Sequence, residues 1–283
     1  MSDSTQALDN DIITNVKDYV QMPLLYNHWY VAGTVDEFGR KPIAKTLLEH
    51  SIIFYRTEAG ELTALQNRCL HRSFPMSEAR QDGDDLICRY HGARYSPGGT
   101  LLNIPCQKAT PDRALRKYPL LEKGPFVFIW MGTGAPDMSK MEPLSYVDDP
   151  NFRQLNGHHE INGSYLLMQE NLNDQSHFAF LHHDSFGVEE EFIETPVKVV
   201  RRGGSVKSLR NETNAEVILM GVIPGKHRES LKYKTLARWD ESYSISPGAF
   251  LTHLWTFIDD EAEVTPETMQ VYIAHYLTPV TQN

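Results

Sequence analysis

Two cysteines and two histidines between residues 67 and 95 form two short pairs. The first pair is Cys69 and His71, with one residue between them, and the second is Cys88 and His91, with two residues between them. Sixteen residues separate the two pairs. Thiolates and imidazoles are the ligands that zinc and iron centres use in proteins. The stretch therefore predicts a metal centre held by two loops.

Three interpretations of these pairs are open: buried structural residues, a zinc site and an iron–sulfur cluster. Coincidence does not explain two such tight pairs, and zinc sites usually join Cys with Cys and His with His. In a Rieske [2Fe–2S] cluster, two Cys hold one iron and two His hold the other. The mixed pairs favour that cluster, because each loop then gives one ligand to each iron. Gly92 and the SPGG turn at 96–99 would let backbone amides approach the sulfurs.

A second group of polar residues falls in a stretch with a helical pattern, residues 164–183. Asn171, Asp174 and His177 recur every three residues, which places them near one face of an otherwise apolar helix and points them inward. Burying such groups is costly unless they find partners or take part in chemistry. His177 and His182 would diverge by roughly 140° on a straight helix. They share a metal only if the helix ends or distorts between them, and two unrelated histidines are the alternative.

The elements that carry these groups indicate two domains of the α+β class. Short apolar segments separated by turn signals predict a small antiparallel β domain with the cysteine–histidine pairs on its loops. A linker rich in Gly, Pro and Ser follows at 131–143. The helical stretch then precedes long strand signals, which indicates a helix laid against a curved antiparallel sheet. We assign residues 1–22 to a tail and short helix, 23–135 to the first domain and 136–283 to the second.

The composition argues against several classes of protein. The chain has 27 Lys and Arg and 37 Asp and Glu, for a net charge of −10, which argues against binding to nucleic acid or anionic membranes. No apolar run is long enough for a transmembrane helix, and the start does not resemble a signal peptide. Three cysteines do not make a disulfide framework, so the cytoplasm is the expected location. Cys106 has no ligand-type neighbour and is interpreted as a packed or surface thiol.

The two groups together resemble the Rieske non-haem iron oxygenases. The pattern C-x-H-x₁₆-C-x₂-H is followed by N-x₂-D-x₂-H-x₄-H, and the likeness extends over almost the whole chain. The stretches NHWYVAG, CRYHG and HYLTPVTQN are similar to the subfamily that contains vanillate O-demethylase and dicamba monooxygenase. The resemblance implies a small antiparallel β Rieske domain and a helix-grip (START-like) catalytic domain with a curved antiparallel sheet.

The resemblance also implies roles for individual residues. Those that would bind the [2Fe–2S] cluster are Cys69, His71, Cys88 and His91. A mononuclear Fe(II), whose open positions take O₂, would be bound by His177 and His182, with Asn171 beside it. Asp174 would link His177 to a cluster histidine of the neighbouring subunit, so that electrons pass between subunits of a head-to-tail homotrimer.

Two features depart from the family's pattern. A bulky residue often follows the CRYHG box, where this chain has Ala93, so packing beside the cluster is expected to differ. The third iron ligand in the family is an Asp beyond the stretch matching HYLTPVTQN, and this sequence stops at Asn283. We expect a missing part to carry that carboxylate and a terminal helix, or an internal carboxylate or water to replace it. His183 is a rival to His182, and the spacing favours His182.

The expected function is that of a terminal oxygenase that activates O₂. Electrons would come from NAD(P)H through a separate ferredoxin or flavin reductase, because the chain has no G-x-G-x-x-G segment and no plant-type ferredoxin cysteine run. The subfamily implies monooxygenation of a small aromatic compound, by O-demethylation or hydroxylation. The alternatives are cis-dihydroxylation of an arene and a Rieske electron carrier without catalytic activity. The sequence does not name the substrate.

Overall fold

The structure is a computed structural model. It describes residues 23–105, 107–108, 111–141, 144–174, 177–181, 198–202, 205–213, 236–258 and 269–282. The helix expected within residues 1–22 lies outside the described residues, as do Cys106, His182 and His183.

Ten strands form the first part of the described chain. They are β1 (Trp29–Thr34), β2 (Ile43–Leu47), β3 (His50–Arg56), β4 (Leu62–Gln66), β5 (Arg80–Asp82), β6 (Asp85–Ile87), β7 (Arg94–Tyr95), β8 (Leu101–Asn103), β9 (Leu120–Lys123) and β10 (Phe126–Trp130). They pair antiparallel into three small sheets with the orders β1-β10-β9, β2-β3-β4 and β5-β6-β7-β8. The expected small antiparallel β domain is therefore confirmed.

Strand β3 separates two hydrophobic cores in this domain. Its residues Ile52, Ile53, Phe54 and Tyr55 are all fully buried, as expected of a short apolar run covered on both faces. Ile52 and Phe54 pack into one cluster, whereas Ile53 and Tyr55 pack into a second, which also contains the two described cysteines. Burial of each such side chain contributes about 1.5–3 kcal/mol. The cysteine loops are thus anchored on a packed core.

Five further strands form one antiparallel sheet in chain order, beside two described helices. The strands are β11 (Lys198–Arg202), β12 (Ser205–Thr213), β13 (Leu236–Ser246), β14 (Ala249–Ile258) and β15 (Met269–Tyr276), and the helices are α1 (Tyr165–Asn173) and α2 (Phe178–Leu181). The Ser164 side chain accepts a hydrogen bond from the N–H of Leu166 and caps α1. Gln169 Nε2 donates to the carbonyl of Ser246 at 3.3 Å, which ties α1 to the β13–β14 hairpin. Neither described helix is long and apolar enough to cross a membrane.

One face of β14 and β15 packs against the first domain and the segment that follows it. His253 and Tyr272 are directly paired across the two strands, and their rings stack at 4.0 Å. Tyr146 stacks on Tyr272 at 4.6 Å, and Phe126 of β10 lies 4.9 Å from the ring of Tyr276. The opposite face of these strands carries Phe250 paired with His275, and Phe250 is also buried. A helix against an antiparallel sheet confirms the α+β class.

The predicted linker at 131–143 is partly folded onto the first domain. Trp29 Nε1 donates to the carbonyl of Asp137 at 3.0 Å. The Asp137 side chain accepts from the N–H of Ser139 and begins a 3₁₀ turn at Met138–Lys140. The composition of residues 131–143 indicated a linker, but composition could not predict that Trp29 holds this segment against the first domain.

A strained turn joins the first domain to the end of the chain. Leu48 and Glu49 connect β2 to β3 with φ angles of 47° and 63°, a two-residue hairpin turn that usually requires Gly, Asn or Asp. Their N–H groups donate to the carbonyls of Pro279 and Val280, each at 2.8 Å. The contact with residues 279–280 therefore stabilises a turn that its own residue types disfavour.

Candidate metal centre

The first cysteine–histidine pair lies in a loop that follows β4. The N–H of Cys69 donates to the carbonyl of Phe74 at 2.9 Å, and the N–H of Ser73 donates to the carbonyl of Cys69 at 2.9 Å. Ser73 has a φ of 59°, a conformation that costs a residue with a side chain roughly 1–2 kcal/mol. Arg68 Nε donates to Ser73 Oγ at 2.8 Å, which helps to hold this turn.

The second pair lies between β6 and β7 in a loop with the same backbone hydrogen bonds. The N–H of Cys88 donates to the carbonyl of Ala93 at 2.8 Å, and the N–H of Gly92 donates to the carbonyl of Cys88 at 3.0 Å. Gly92 has a φ of 73°, and a Cβ there would lie 3.1 Å from Cγ of Pro105, so glycine suits both the turn and the close packing. The two loops are copies of one turn, each with a cysteine at its start.

The two loops bring the four predicted ligands together. The ring centroids of His71 and His91 are 4.5 Å apart. Cys69 and Cys88 are each 2% exposed, and both are free thiols. The Nδ1 atom of His71 is buried without a hydrogen-bond partner among the described residues, which is costly unless a ligand satisfies it. Two buried thiols and two adjacent imidazoles, one with an orphaned ring nitrogen, fit the ligand set of a Rieske cluster.

The electrostatics of the thiols also suit a metal. Burial raises the pKa of the Cys88 thiol, and its contact with the Cys69 thiol raises it further, while the N–H groups of Tyr90 and His91 donate to the Cys88 sulfur and lower that pKa. Coordination to a metal would deprotonate both thiols outright. The two N–H groups would then stabilise the charge on the Cys88 sulfur.

Tyr95, a fully buried residue of β7, is a part of the site that sequence reasoning missed. Its hydroxyl oxygen accepts a hydrogen bond from the N–H of Leu70 at 3.0 Å and lies 3.3 Å from Sγ of Cys69. Burial raises the pKa of Tyr95, so the hydroxyl keeps its proton and can donate it to the sulfur. The alternation of a strand can indicate that Tyr95 is buried, but it does not indicate that the hydroxyl lies beside the Cys69 sulfur.

Within the described ranges, no three His, Cys, Asp or Glu side chains form a group that could hold one metal ion. A Rieske cluster does not require such a group, because each of its irons takes only two protein side chains. The four side chains are therefore compatible with two iron ions that share them in pairs.

The second predicted site lies at the end of α1. Asn171 is in the last turn of this helix. Asp174 ends it with φ −88° and ψ 103°, and its N–H donates to the carbonyl of Glu170 at 3.0 Å. Both Asn171 and Asp174 are exposed in the single chain, whereas the spacing predicted that they point inward. Asp174 does not continue the face of the helix because the helix ends at Asn173, whereas Asn171 lies within the helix on its exposed side.

His177 immediately precedes the second helix and is half-buried. Its carbonyl accepts from the N–H groups of Phe180 and Leu181 at 3.2 and 2.8 Å. The helical stretch is interrupted before His177, and the second helix ends at Leu181, so the two histidines do not lie on one continuous helix. Because His182 lies outside the described residues, the pairing of these two histidines stays a prediction.

The face of the five-stranded sheet opposite Tyr272 and Tyr276 carries buried polar groups that sequence reasoning did not single out. Ser242 Oγ and Thr252 Oγ1 lie 3.3 Å apart across β13 and β14. On the same face of β15, the Nδ1 atom of His275 is buried without a hydrogen-bond partner among the described residues. Burial lowers the pKa of His275, which favours the neutral imidazole. The sequence feature that could have indicated this site is His275 itself, a histidine at an apolar position of a predicted strand.

Comparison with known protein families gives two matches that follow one another along the chain. Residues 28–119 match the Rieske [2Fe-2S] domain, and residues 161–283 match the vanillate O-demethylase oxygenase C-terminal domain. The first match contains both cysteine–histidine loops, and the second contains the stretch from Asn171 to His182.

Similar proteins include a monooxygenase iron-sulfur subunit and an O-demethylase oxygenase subunit. The toluene-4-sulfonate monooxygenase system iron-sulfur subunit of Comamonas testosteroni is 34% identical over 233 residues, which cover 80% of this chain and 65% of that protein. The vanillate O-demethylase oxygenase subunit of Pseudomonas sp. strain HR199 is 32% identical over 189 residues, which cover 66% of this chain and 53% of that protein. The chain thus spans less than two thirds of the length of either relative.

Among solved structures, dicamba monooxygenase bound to 3,6-dichlorosalicylic acid has a TM-score of 0.77 at 24% sequence identity, covering 92% of this chain and 76% of that one. This likeness shows the same fold. The two family matches, the sequence relatives and the shared fold agree with the two converging cysteine–histidine loops. The chain belongs to the Rieske non-haem iron oxygenases, in the group of the vanillate O-demethylase oxygenase subunits.

Proposed function

We propose that the chain acts in a terminal oxygenase that uses O₂ to monooxygenate a small aromatic compound. The observation that carries this proposal is the convergence of two buried thiols and two imidazoles, with His71 and His91 4.5 Å apart. The printed names of the relatives, a toluene-4-sulfonate monooxygenase subunit and a vanillate O-demethylase subunit, support monooxygenation over cis-dihydroxylation.

The proposed ligands divide into two sets. A [2Fe–2S] cluster would be held by Cys69, His71, Cys88 and His91, and a mononuclear Fe(II) by His177 and His182, with Asn171 beside it. When bound, the cluster supplies single electrons and the iron supplies the activation of O₂. With Cys69 as a thiolate ligand, the Tyr95 hydroxyl, 3.3 Å away, would donate a hydrogen bond to its sulfur. The buried position of both cysteines excludes water from the sulfurs.

Asp174 is proposed as the link between neighbouring chains in a homotrimer. Its side chain is exposed in the single chain, at the end of α1 and three residues before His177. A carboxylate in this position can accept a hydrogen bond from a protonated ring nitrogen of a cluster histidine in a second copy. The same carboxylate would orient His177 from its other side.

The source of electrons is proposed to be NAD(P)H, through a separate ferredoxin or flavin reductase in the cytoplasm. A Rieske cluster has a higher potential than a plant-type ferredoxin, because histidine replaces cysteine on one iron. One electron at a time can therefore pass downhill from such a reductase.

The proposed substrates are aromatic acids that carry a methyl or methoxy group. Toluene-4-sulfonate and vanillate, named in the relatives, both combine an aromatic ring, an anionic group and such a carbon atom. The hydroxyls of Ser242 and Thr252 and the orphaned nitrogen of His275 lie on one face of the sheet, opposite Tyr272 and Tyr276. These groups can donate hydrogen bonds to an anionic substituent.

Metal analysis of anaerobically purified protein tests the cluster. We expect iron and sulfide in the amounts of one [2Fe–2S] cluster plus one further iron per chain, with visible iron–sulfur absorbance. Cys88→Ser should lose the absorbance, and Cys106→Ser, the matched control, should keep it. A colourless protein that contains zinc would contradict the proposal.

Turnover tests the reaction. Methoxy- and methyl-substituted aromatic acids would be supplied with NADH and a surrogate vanillate O-demethylase reductase, and formaldehyde and hydroxylated products would be measured. We expect product in proportion to the NADH consumed. Two irons per chain, with NADH oxidation never coupled to any product, would identify an electron carrier instead.

A further inference from the structure

The side chain of Gln169 joins helix α1 to the turn between β13 and β14. Gln169 lies in the middle of α1 and is half-buried. Its Nε2 donates hydrogen bonds to the carbonyls of Ser246, at 3.3 Å, and of Pro247. A carboxamide has two N–H donors, so one side chain satisfies two carbonyls of the turn. A helix and a hairpin that are distant in the sequence are thereby held together at one point.

Gln169 also lies at the centre of a row of contacts along one side of α1. Tyr165, one turn earlier, packs against a core cluster of the first domain. Asn173, one turn later, donates from Nδ2 to the carbonyl of Gln169 at 2.7 Å. Residues spaced by four lie one above the other on a helix, so Tyr165 and Gln169 together fix the position and the rotation of α1. The proposed iron-site residues Asn171 and His177 follow within eight residues of Gln169.

The turn that Gln169 contacts is itself held against the first domain. A Cβ added at Gly248 would lie 2.6 Å from the ring of Tyr30 and 3.0 Å from the carbonyl oxygen of Leu277, so the turn packs closely on β1. The N–H of Leu277 donates to the carbonyl of Gly248 at 2.9 Å. Strand β14 leaves this turn and carries Thr252, and β15 carries His275, both proposed to bind the anionic substituent of the substrate. The turn is therefore a fixed point between the helix of the proposed iron site and the strands of the proposed substrate site.

We propose that Gln169 is a positioning residue, which sets the distance between the mononuclear iron and the substrate carbon atom that is oxidised. The proposal rests on the proposed function, since it needs an iron beyond the end of α1 and a substrate bound by the sheet. Helix α1 leads to one of these sites and the hairpin leads to the other, so the hydrogen bonds between them control their separation. Reaction rates depend steeply on such distances, and a misplacement of about 1 Å can cost roughly 100-fold.

Gln169→Met tests this role, because methionine has a similar length and no N–H donor. The measurement uses the iron-loaded full chain, a surrogate vanillate O-demethylase reductase and the methoxy- or methyl-substituted aromatic acid that the wild type converts fastest. We expect kcat for product to fall about tenfold, while KM changes by less than about twofold because the groups on the sheet are intact. NADH would still be consumed, and its two electrons, with two protons, would reduce O₂ to H₂O₂ in place of product.

Two further variants separate positioning from a general loss of stability. Gln81 Nε2 donates to the carbonyl of Arg40 at 2.8 Å in the first domain, so Gln81→Met removes the same kind of hydrogen bond outside α1 and the hairpin. This control should form as much product per NADH as the wild type. Gln169→Lys restores an N–H donor at the original position and should recover most of the product per NADH.

Hydrogen exchange provides a measurement that needs no turnover. The backbone amides of α1 and of the β13–β14 turn should exchange faster in Gln169→Met than in the wild type or in Gln81→Met. Iron content, visible absorbance and reduction of the cluster by dithionite should be the same in all of these proteins. The change would then be confined to the contact between α1 and the hairpin.

The outcomes are distinguishable. Wild-type kcat and product per NADH in Gln169→Met overturn the positioning role, and so does a Gln169→Lys variant that loses as much product as Gln169→Met. An equal loss in Gln81→Met would show a general effect of stability and would also overturn it. If Gln169→Met does not fold, Gln169→Asn, which keeps the carboxamide but shortens its reach, takes its place with the same expectations. A wild-type protein that converts none of the aromatic acids would instead contradict the proposed function itself.

Discussion

The hydroxyl oxygen of Tyr95 lies 3.3 Å from Sγ of Cys69, and the N–H of Leu70 occupies the other side of that oxygen at 3.0 Å. The phenolic proton is thereby directed at the sulfur. A hydrogen bond to this sulfur stabilises the reduced cluster more than the oxidised one, because reduction adds negative charge. Tyr95→Phe should therefore lower the midpoint potential by about 40 mV, which corresponds to ~1 kcal/mol.

A redox titration followed by visible absorbance measures this shift. Tyr90→Phe is the matched control, because Tyr90 also belongs to the cluster loops but its side chain is exposed. We expect its potential to match that of the wild type. Equal potentials for Tyr95→Phe and the wild type would show that the hydroxyl does not donate to the sulfur.

The cluster loops show what the sequence can predict about this site. The mixed cysteine–histidine pairs are a local pattern, so the ligand types and their loops could be predicted, and Gly92 marked the turn of the second loop. The equivalent turn of the first loop uses Ser73, whose φ of 59° could not be predicted because serine has no preference for that conformation. Tyr95 reaches Cys69 through tertiary packing across 26 residues of sequence, which no local pattern reports.

For the second site, the sequence predicted the residues but not the local structure that holds them. Residue spacing selected Asn171, Asp174 and His177, but it assumed one continuous helix. The end of α1 at Asn173 and the start of α2 at Phe178 depend on packing that the apolar periodicity does not encode. The α+β class was predictable because strand and helix signals follow one another in long blocks.

Asp174 offers a test of the proposed link between chains. Asp174→Asn keeps the size of the side chain and removes its charge. We expect coupled product formation to fall about 10–100-fold, while iron content, visible absorbance and reduction by dithionite stay unchanged. Reoxidation of the reduced cluster by O₂ in the presence of substrate should slow to the same extent. Glu170→Gln, one turn earlier on α1 and also exposed, is the control, and an equal loss in both variants would contradict a specific role for Asp174.

Glu49 offers a test of the strained turn that does not depend on function. Its φ is 63°, and Asn adopts this conformation more readily than Glu. Glu49→Asn should raise the free energy of unfolding by about 0.5–1 kcal/mol, measured by urea denaturation. Glu61→Asn serves as the control, because Glu61 is exposed but its φ is not positive. A lower stability for Glu49→Asn would mean that the turn is not strained.

His275 predicts how the stability of the protein depends on pH. Burial lowers the pKa of His275 from 6.5 in the folded chain, so the unfolded chain binds a proton more readily at mildly acidic pH. The stability that follows from this difference is fully present above the unfolded pKa of about 6.5 and is lost as the pH falls through 6.5 towards the folded pKa. His275→Gln should therefore lose less stability than the wild type between pH 7.5 and 5.5. Urea midpoints measure this loss, while visible absorbance shows that the cluster is retained.

His158→Gln, at an exposed histidine before α1, is the control and should lose as much stability as the wild type. Equal losses for His275→Gln and the wild type would contradict a proton-linked cost at His275. The dependence should shrink but not vanish in His275→Gln, because burial also lowers the pKa values of His28 and His50.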